Sequence, residues 1–288
     1  MNERDALDGA AKYESFLRKC GVGVSKPGSQ DLLVYPVTDT GSVESIVRET
    51  WDATGERYLS VESVDAHRAT MFWLLREMSQ PKRDEQWLSI GVGPGLYEAY
   101  LMKHFYPSRF DLLDLSFEQM RVGRDTARGN ISRGVAKRLH RLQATMTTLP
   151  YPSNIFDHAF SINSLHWTSN WRQVIGELNR VVSKREGSRI YSITASANII
   201  LNDELRSIAP DLNTDTLIDA YEANGFGLRQ VSQLKLEHGQ YQRPTMRFLA
   251  VFERGASTEG KFEDRISRGE VGYSEILVKN NAMFVDNY

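Results

Sequence analysis

The stretch Gln86–Leu96, Q-W-L-S-I-G-V-G-P-G-L, constrains this chain more than any other. An apolar run (Trp87, Leu88, Ile90) leads into Gly91-Val92-Gly93-Pro94-Gly95. Leu96, Tyr97, Tyr100, Leu101 and Phe105 then follow at helical spacing. A strand that turns on glycines into a helix builds a small-molecule site, because glycine allows positive φ and close approach of a ligand to the backbone. The helix start adds N–H groups that lack intrahelical partners. The dinucleotide fingerprint G-x-G-x-x-G requires its third glycine at position 96. Leu96 stands there, and the glycines fall at 91, 93 and 95, which disfavours a nicotinamide dehydrogenase.

The flanking chain alternates strand and helix patterns. Strands are expected at Phe110–Leu115, Arg138–Gln143, Ile155–Ile162 and Ser188–Thr194. Helices are expected at Phe117–Ala127 and Trp171–Val182. This rhythm predicts an α/β fold with a doubly wound, Rossmann-like sheet, mostly parallel. Leu228–Leu236 and Met246–Phe252 read as an antiparallel hairpin closing the sheet, after a helix at Asp215–Ala223 that Asn224-Gly225 terminates. Upstream, Ser42–Gly55 and Ser63–Ser79 read as helices, and Leu32–Tyr35 as a short extended piece within a loop. The expected organisation is an N-terminal helical lid (1–80), a ligand-binding domain (81–254) and a tail (255–288). The tail's apolar segment S-E-I-L-V-K-N-N-A-M-F-V suggests docking on this subunit or on a partner.

Composition narrows the function classes. A formal net charge of −2 gives no electrostatic case for nucleic acid or an anionic membrane. Cys20 is the only cysteine and no H-x-x-x-H pair occurs, so no metal site is expected. The N-terminus M-N-E-R-D-A-L-D is charged and lacks the apolar core of a signal peptide, and no stretch approaches the length of a membrane span. A cytoplasmic protein is expected.

Asp114 lies 19 residues beyond Gly95, at the end of the second expected strand. Ligands of open α/β sheets sit at the strand C-terminal ends. A carboxylate there can accept hydrogen bonds from both hydroxyls of a ribose, or it can cap a helix.

The G-x-G-x-G run resembles the first motif of class I S-adenosylmethionine (SAM)-dependent methyltransferases. Later segments resemble the same family, and within it the small-molecule enzymes of the ubiquinone/menaquinone and biotin-synthesis type. They are T-T-L-P-Y-P-S-N-I-F-D-H-A-F-S-I-N-S-L-H-W (147–167), W-R-Q-V-I-G-E-L-N-R-V-V (171–182), G-S-R-I-Y-S-I (187–193) and Y-E-A-N-G-F-G-L-R-Q-V (221–231). The resemblance implies that Gly91, Gly93 and Gly95 lie beneath the amino-acid part of SAM. It implies that Asp114 holds the ribose, that Leu115 and Met146 flank adenine, and that Asn163 lies near the methionine portion. Ser89 and Thr145 stand where the family places acids. W-D-A-T-G-E-R-Y (51–58) resembles a cofactor-covering segment, with Tyr58 near the methionine end.

His166 is a candidate general base, since imidazole titrates near neutrality; a packing role is the alternative. The resemblance implies a SAM-dependent methyltransferase acting on a small organic molecule. The unusual N- and C-terminal elements suggest an acceptor of secondary metabolism and a homodimer formed through one of them. A same-fold enzyme performing a cyclisation or rearrangement, or a non-catalytic binding subunit, stays open.

Overall fold

The computed structural model of the protein describes residues 14–15, 17–18, 32–34, 43–54, 64–78, 84–127, 132–195, 208–237, 245–279 and 282–287. Its centre is a single ten-stranded sheet. In chain order the strands are β1 (Leu32–Val34), β2 (Gln86–Ile90), β3 (Arg109–Asp114), β4 (Leu139–Gln143), β5 (His158–Ile162), β6 (Arg189–Ala195), β7 (Phe226–Glu237), β8 (Thr245–Arg254), β9 (Gly272–Lys279) and β10 (Ala282–Asn287). The helices are α1 (Val43–Thr54), α2 (Val64–Glu77), α3 (Leu96–His104), α4 (Phe117–Ala127), α5 (Arg133–Ala136), α6 (Trp171–Val181), α7 (Thr214–Ala223) and α8 (Phe262–Ser267). No described helix is long and apolar enough to cross a membrane.

The spatial order is β1-β4-β3-β2-β5-β6-β8-β7-β9-β10. Among these, β8 and β10 run against the other strands, so the sheet is mostly parallel with an antiparallel C-terminal part. The chain winds outward from β2 through β3 to β4, then returns to the other side of β2 with β5 and β6. The switch in direction lies between β2 and β5, and that is where open sheets of this kind leave a crevice.

Both faces of the central strands are buried, as a parallel sheet requires. Leu88, Leu113, Ala159 and Ile190 meet α6 and α7 through Val174, Leu178, Leu217 and Tyr221. Their sequence neighbours Trp87, Leu112, Phe160 and Tyr191 meet α2 and α3 through Trp73, Leu101 and Met102. This alternation follows from the period of two in a strand.

Two elements differ from the sequence expectation. The extended piece expected at Leu32–Tyr35 is present over Leu32–Val34, but it is an edge strand of the sheet, paired parallel with β4, and not an isolated piece of loop. The antiparallel hairpin β7–β8 does not close the sheet, because β9 pairs parallel with β7 and β10 then pairs with β9. The tail therefore docks on its own subunit. Arg265 of α8 is 1% exposed, ion-paired with Glu222 of α7, and donates to the Leu228 carbonyl at 2.9 Å. On the other face, Trp73 Nε1 of α2 donates to Ser232 Oγ (2.8 Å), and Arg76 donates to Ser274 Oγ (2.8 Å). N-terminal helix and C-terminal strand are thus fastened to each other across β7.

Candidate functional site

The glycine turn leaves β2 and enters α3 with Gly91, Gly93 and Gly95 all at positive φ (61°, 54° and 70°), a region that L side chains rarely adopt. The Leu113 carbonyl accepts from Gly91 N at 2.8 Å, and Gly95 N closes the turn onto the Val92 carbonyl at 2.9 Å. A Cβ on Gly91 would lie 2.3 Å from the Ser164 Cβ, so the turn after β2 touches the loop after β5. A Cβ on Gly93 would meet nothing within 4 Å among the described residues. The missing side chain leaves an open approach to the Gly93 backbone.

Asp114, at the end of β3, clasps this turn. Its Oδ2 accepts from Gly93 N at 2.7 Å and its Oδ1 accepts from Ser116 N at 2.8 Å. Burial pushes the carboxyl up to about 6, and the nearby Asp52 carboxylate adds to this, while the hydrogen bonds from Ser116 and Gly93 pull it back. Ser116 caps α4 by accepting from Gln119 N at 3.1 Å.

Beyond β5, Asn163 takes a left-handed backbone conformation (φ 54°), and its N–H donates to the Ile193 carbonyl. Both polar atoms of its side-chain amide are buried, and neither has a hydrogen-bond partner among the described residues. A buried, unsatisfied amide costs free energy, and this one stands at the strand switch. His166 and Trp167 follow in a short 3-10 turn, their rings 5.4 Å apart. Leu115 and Met146 are half-buried at the ends of the neighbouring strands, and Met146 packs against the core. The structure thus brings Gly91, Gly93, Gly95, Asp114 and Asn163 to one edge of the sheet. Tyr58 lies outside the described residues.

Helix α1 lies across that edge. Asp52 Oδ1 accepts from Ser116 Oγ at 2.5 Å and from Glu118 N at 3.3 Å. The Trp51 carbonyl accepts from Gln119 Nε2 at 3.0 Å, and the Trp51 ring meets Trp167 edge-on at 4.8 Å. Glu44 Oε1 accepts from both Thr145 Oγ1 (3.2 Å) and Thr147 Oγ1 (3.1 Å).

Sequence reasoning missed four contributors: Glu44, Asp52, Glu98 and Gly123. Ser89 Oγ donates to Glu98 Oε1 at 2.6 Å, both residues being fully buried. Burial pushes the Glu98 carboxyl up to about 7, against the lowering effect of the Ser89 hydrogen bond. A signal for Glu98 existed, since it sits three residues before Leu101 and seven before Phe105, on the apolar stripe of α3. Gly123 of α4 lies directly against the Pro94 backbone. A groove of about 510 Å³, lined by Asp84, Gln86, Asn154, Asp157, Ser183 and Arg185, opens at the opposite, N-terminal ends of the strands. It holds none of these groups.

These shifts give a signed dependence of stability on pH. An acid raised on folding makes the native state hold more protons, so its stabilising effect is present below its unfolded pKa and lost as pH rises through the folded value. For Glu98 the window runs from 4.5 to about 7, and for Asp114 from 3.8 to about 6. His140, lowered by burial from 6.5 to about 4, acts in the opposite sense and offsets one of them. The net expectation is a loss of roughly 2–3 kcal/mol between pH 4.5 and 7, at about 1.4 kcal/mol per pKa unit. Denaturant melts across that range should show it, and Glu98→Gln should flatten the profile. A wild-type midpoint that rises with pH there would contradict these protonation states.

Residues 88–190 match the methyltransferase domain family. A malonyl-[acyl-carrier protein] O-methyltransferase of Legionella pneumophila is 28% identical over 96 residues, or 33% of this chain. The chain spans about a third of the length of that curated relative (32%). Among solved structures, the N-methyltransferase NodS of Bradyrhizobium japonicum, in complex with S-adenosyl-L-homocysteine (SAH), has a TM-score of 0.56 at 14% identity, covering 74% of this chain and 98% of its own. The [4+2]-cyclase SpnF has a TM-score of 0.53 at 17% identity, covering 66% of this chain and 80% of its own. At such identities the structural likeness establishes the fold alone.

Proposed function

We propose, starting from the match of residues 88–190 to the methyltransferase domain family, that the protein binds SAM and transfers its methyl group to a small organic acceptor. The observation that carries this reading is the unpartnered Asn163 amide at the strand switch, in the loop that touches the Gly91 turn beside the Gly93–Asp114 clasp. The donor set fits the ligand: an exposed glycine backbone, a carboxylate and an amide suit an amino acid joined to a nucleoside.

When bound, SAM supplies a methyl group already activated on sulfonium. The protein's share is then alignment and exclusion of water. In this reading Gly93 gives the amino-acid end its close approach, and Gly91 and Gly95 hold the turn. Asp114 keeps a free lone pair on each oxygen for the ribose hydroxyls. Asn163 orients the methionine portion, with Tyr58 covering it. Leu115 and Met146 flank the adenine ring. Thr145 brings no charge to its edge, but Glu44 reaches over from α1 and supplies the carboxylate. Ser89 acts through its bond to Glu98. His166 takes a proton where the acceptor carries one. Helix α1 and the elements around it act as the lid (1–80) on the domain (81–254), with a small-molecule acceptor of secondary metabolism beneath. The terminal elements, including the tail (255–288), offer the surface for a homodimer.

Calorimetry with SAM and SAH tests the reading first, followed by mass spectrometry of acceptors incubated with SAM. Micromolar binding of both ligands and a product heavier by one methyl substitution are expected, and Glu44→Ala should weaken binding about tenfold, near the cost of one charged hydrogen bond. Absence of binding overturns the proposal. Binding with a product of unchanged mass would move the reaction to the cyclisation or rearrangement class.

A further inference from the structure

We propose that Glu98, held by Ser89 beneath the glycine turn, is a proton-linked counter-charge that ionises as the cationic end of the ligand binds. This rests on the SAM reading above, because SAM carries an ammonium and a sulfonium.

The geometry places a carboxyl where a neutral residue would serve packing better. Glu98 lies in the first turn of α3, is 1% exposed, and stands on the apolar face of that helix. One oxygen accepts from Ser89 Oγ at the end of β2. The other, Oε2, is buried, has no hydrogen-bond partner among the described residues and lies 3.8 Å from the position of a Cβ on Gly95. An unpartnered buried carboxyl oxygen costs free energy in the free protein. It becomes favourable when a positive charge arrives across a thin, poorly solvated turn.

The groups that act on the Glu98 charge come from three strands. Asp114 on β3 repels its ionised form, Arg141 on β4 favours it, and Ser89 on β2 favours it by hydrogen bonding. The Glu98 backbone N–H adds a bond in the same sense. Burial outweighs these, so the free protein holds the acid half-protonated near pH 7. A bound cation adds the missing favourable charge, and a proton leaves to solvent. Glu98 is buried behind the turn and acts on the ligand through it, as a positioning residue.

The test is SAM binding to the full chain by calorimetry at pH 6, 7 and 8, each in two buffers of different ionisation enthalpy. A group that must ionise and titrates near 7 gives an affinity about tenfold higher at pH 8 than at pH 6, with net proton release at pH 6 and 7. Glu98→Gln should bind about tenfold more weakly than wild type at pH 8 and lose the step near 7, leaving the lower one from Asp114. Ser89→Ala removes the hydrogen bond that favours the anion, so its step should move to higher pH. SAH, lacking the sulfonium, should release fewer protons than SAM. Thermal melts of Glu98→Gln at pH 8 guard against misfolding, since the neutral amide avoids burying a charge and should melt no lower than wild type. Wild-type binding without proton release, or Glu98→Gln that keeps both affinity and step, overturns this proposal alone. Failure of the wild type to bind SAM at any pH overturns the cofactor reading and this inference together.

Discussion

Replacement of Asp114 by alanine is expected to weaken the binding of SAM and SAH at least a hundredfold, equivalent to about 2.8 kcal/mol or more. Two losses combine. The carboxylate is the proposed acceptor for a pair of ribose hydroxyls, and hydrogen bonds to a charged group contribute about 1.5–3 kcal/mol each. The same carboxylate bridges Gly93 N and Ser116 N, so its removal also frees the turn that presents the ligand's backbone contacts. Folding should suffer much less, because a carboxyl raised by burial to about 6 is already costly to keep ionised at neutral pH. Asp114→Asn separates the two losses. The amide keeps one acceptor oxygen, yet turns an N–H₂ toward a backbone donor, so affinity should fall between wild type and alanine. Calorimetry beside a thermal melt gives both readings. Undiminished affinity in Asp114→Ala would place the nucleoside elsewhere.

The second large effect is expected from Gly123→Ala, on the helix packed behind the glycine turn. On helix propensity alone the change should stabilise α4 by about 1 kcal/mol. Packing decides otherwise. A Cβ at this position would stand 1.7 Å from the Pro94 carbonyl oxygen and 2.7 Å from the Pro94 Cα. Both are backbone atoms and have no rotamer to escape into. Either α4 retreats from the sheet or the turn moves, and Pro94 lies between the two glycines on which the turn depends. Overpacking of this kind costs about 1–3 kcal/mol and more when backbone must shift. Set against the propensity gain, a net loss of about 2 kcal/mol is expected, because backbone must shift and the overpacking cost lies at its upper end, or roughly 4–8 °C in Tm for a chain of this size. SAM binding should fall at least tenfold. Gly134→Ala is the control, since a Cβ there meets nothing within 4 Å among the described residues; it should leave Tm within about 2 °C. A Gly123→Ala protein that melts and binds like wild type would show that α4 does not rest on the turn.

The elements legible in the sequence are those whose stabilisation is local or periodic. Phe117–Ala127 is found as expected from its apolar spacing, and β2, β3, β5 and β6 from continuous apolar runs that only a two-sided burial explains. The tail was less legible. Its strands read as a docking segment of unknown destination, because edge strands carry weak patterns and their partners are distant in sequence. β1 hid in a Gly- and Pro-containing stretch for the same reason, its pairing with β4 being long-range.

The sequence by itself determined the glycine turn, the acid at the end of the next strand and the alternation that makes the sheet doubly wound. Each depends on backbone permission or on periodicity, and both are written in neighbouring residues. Only the tertiary structure decided where charge stands around that turn. Ser89 and Thr145 are uncharged, yet each is hydrogen-bonded to a glutamate, from α3 in one case and α1 in the other. Nothing in local spacing shows that Glu44 reaches Thr145, 101 residues away. Electrostatic pairing depends on distance through space and on burial, and the packing of helices on the sheet sets both.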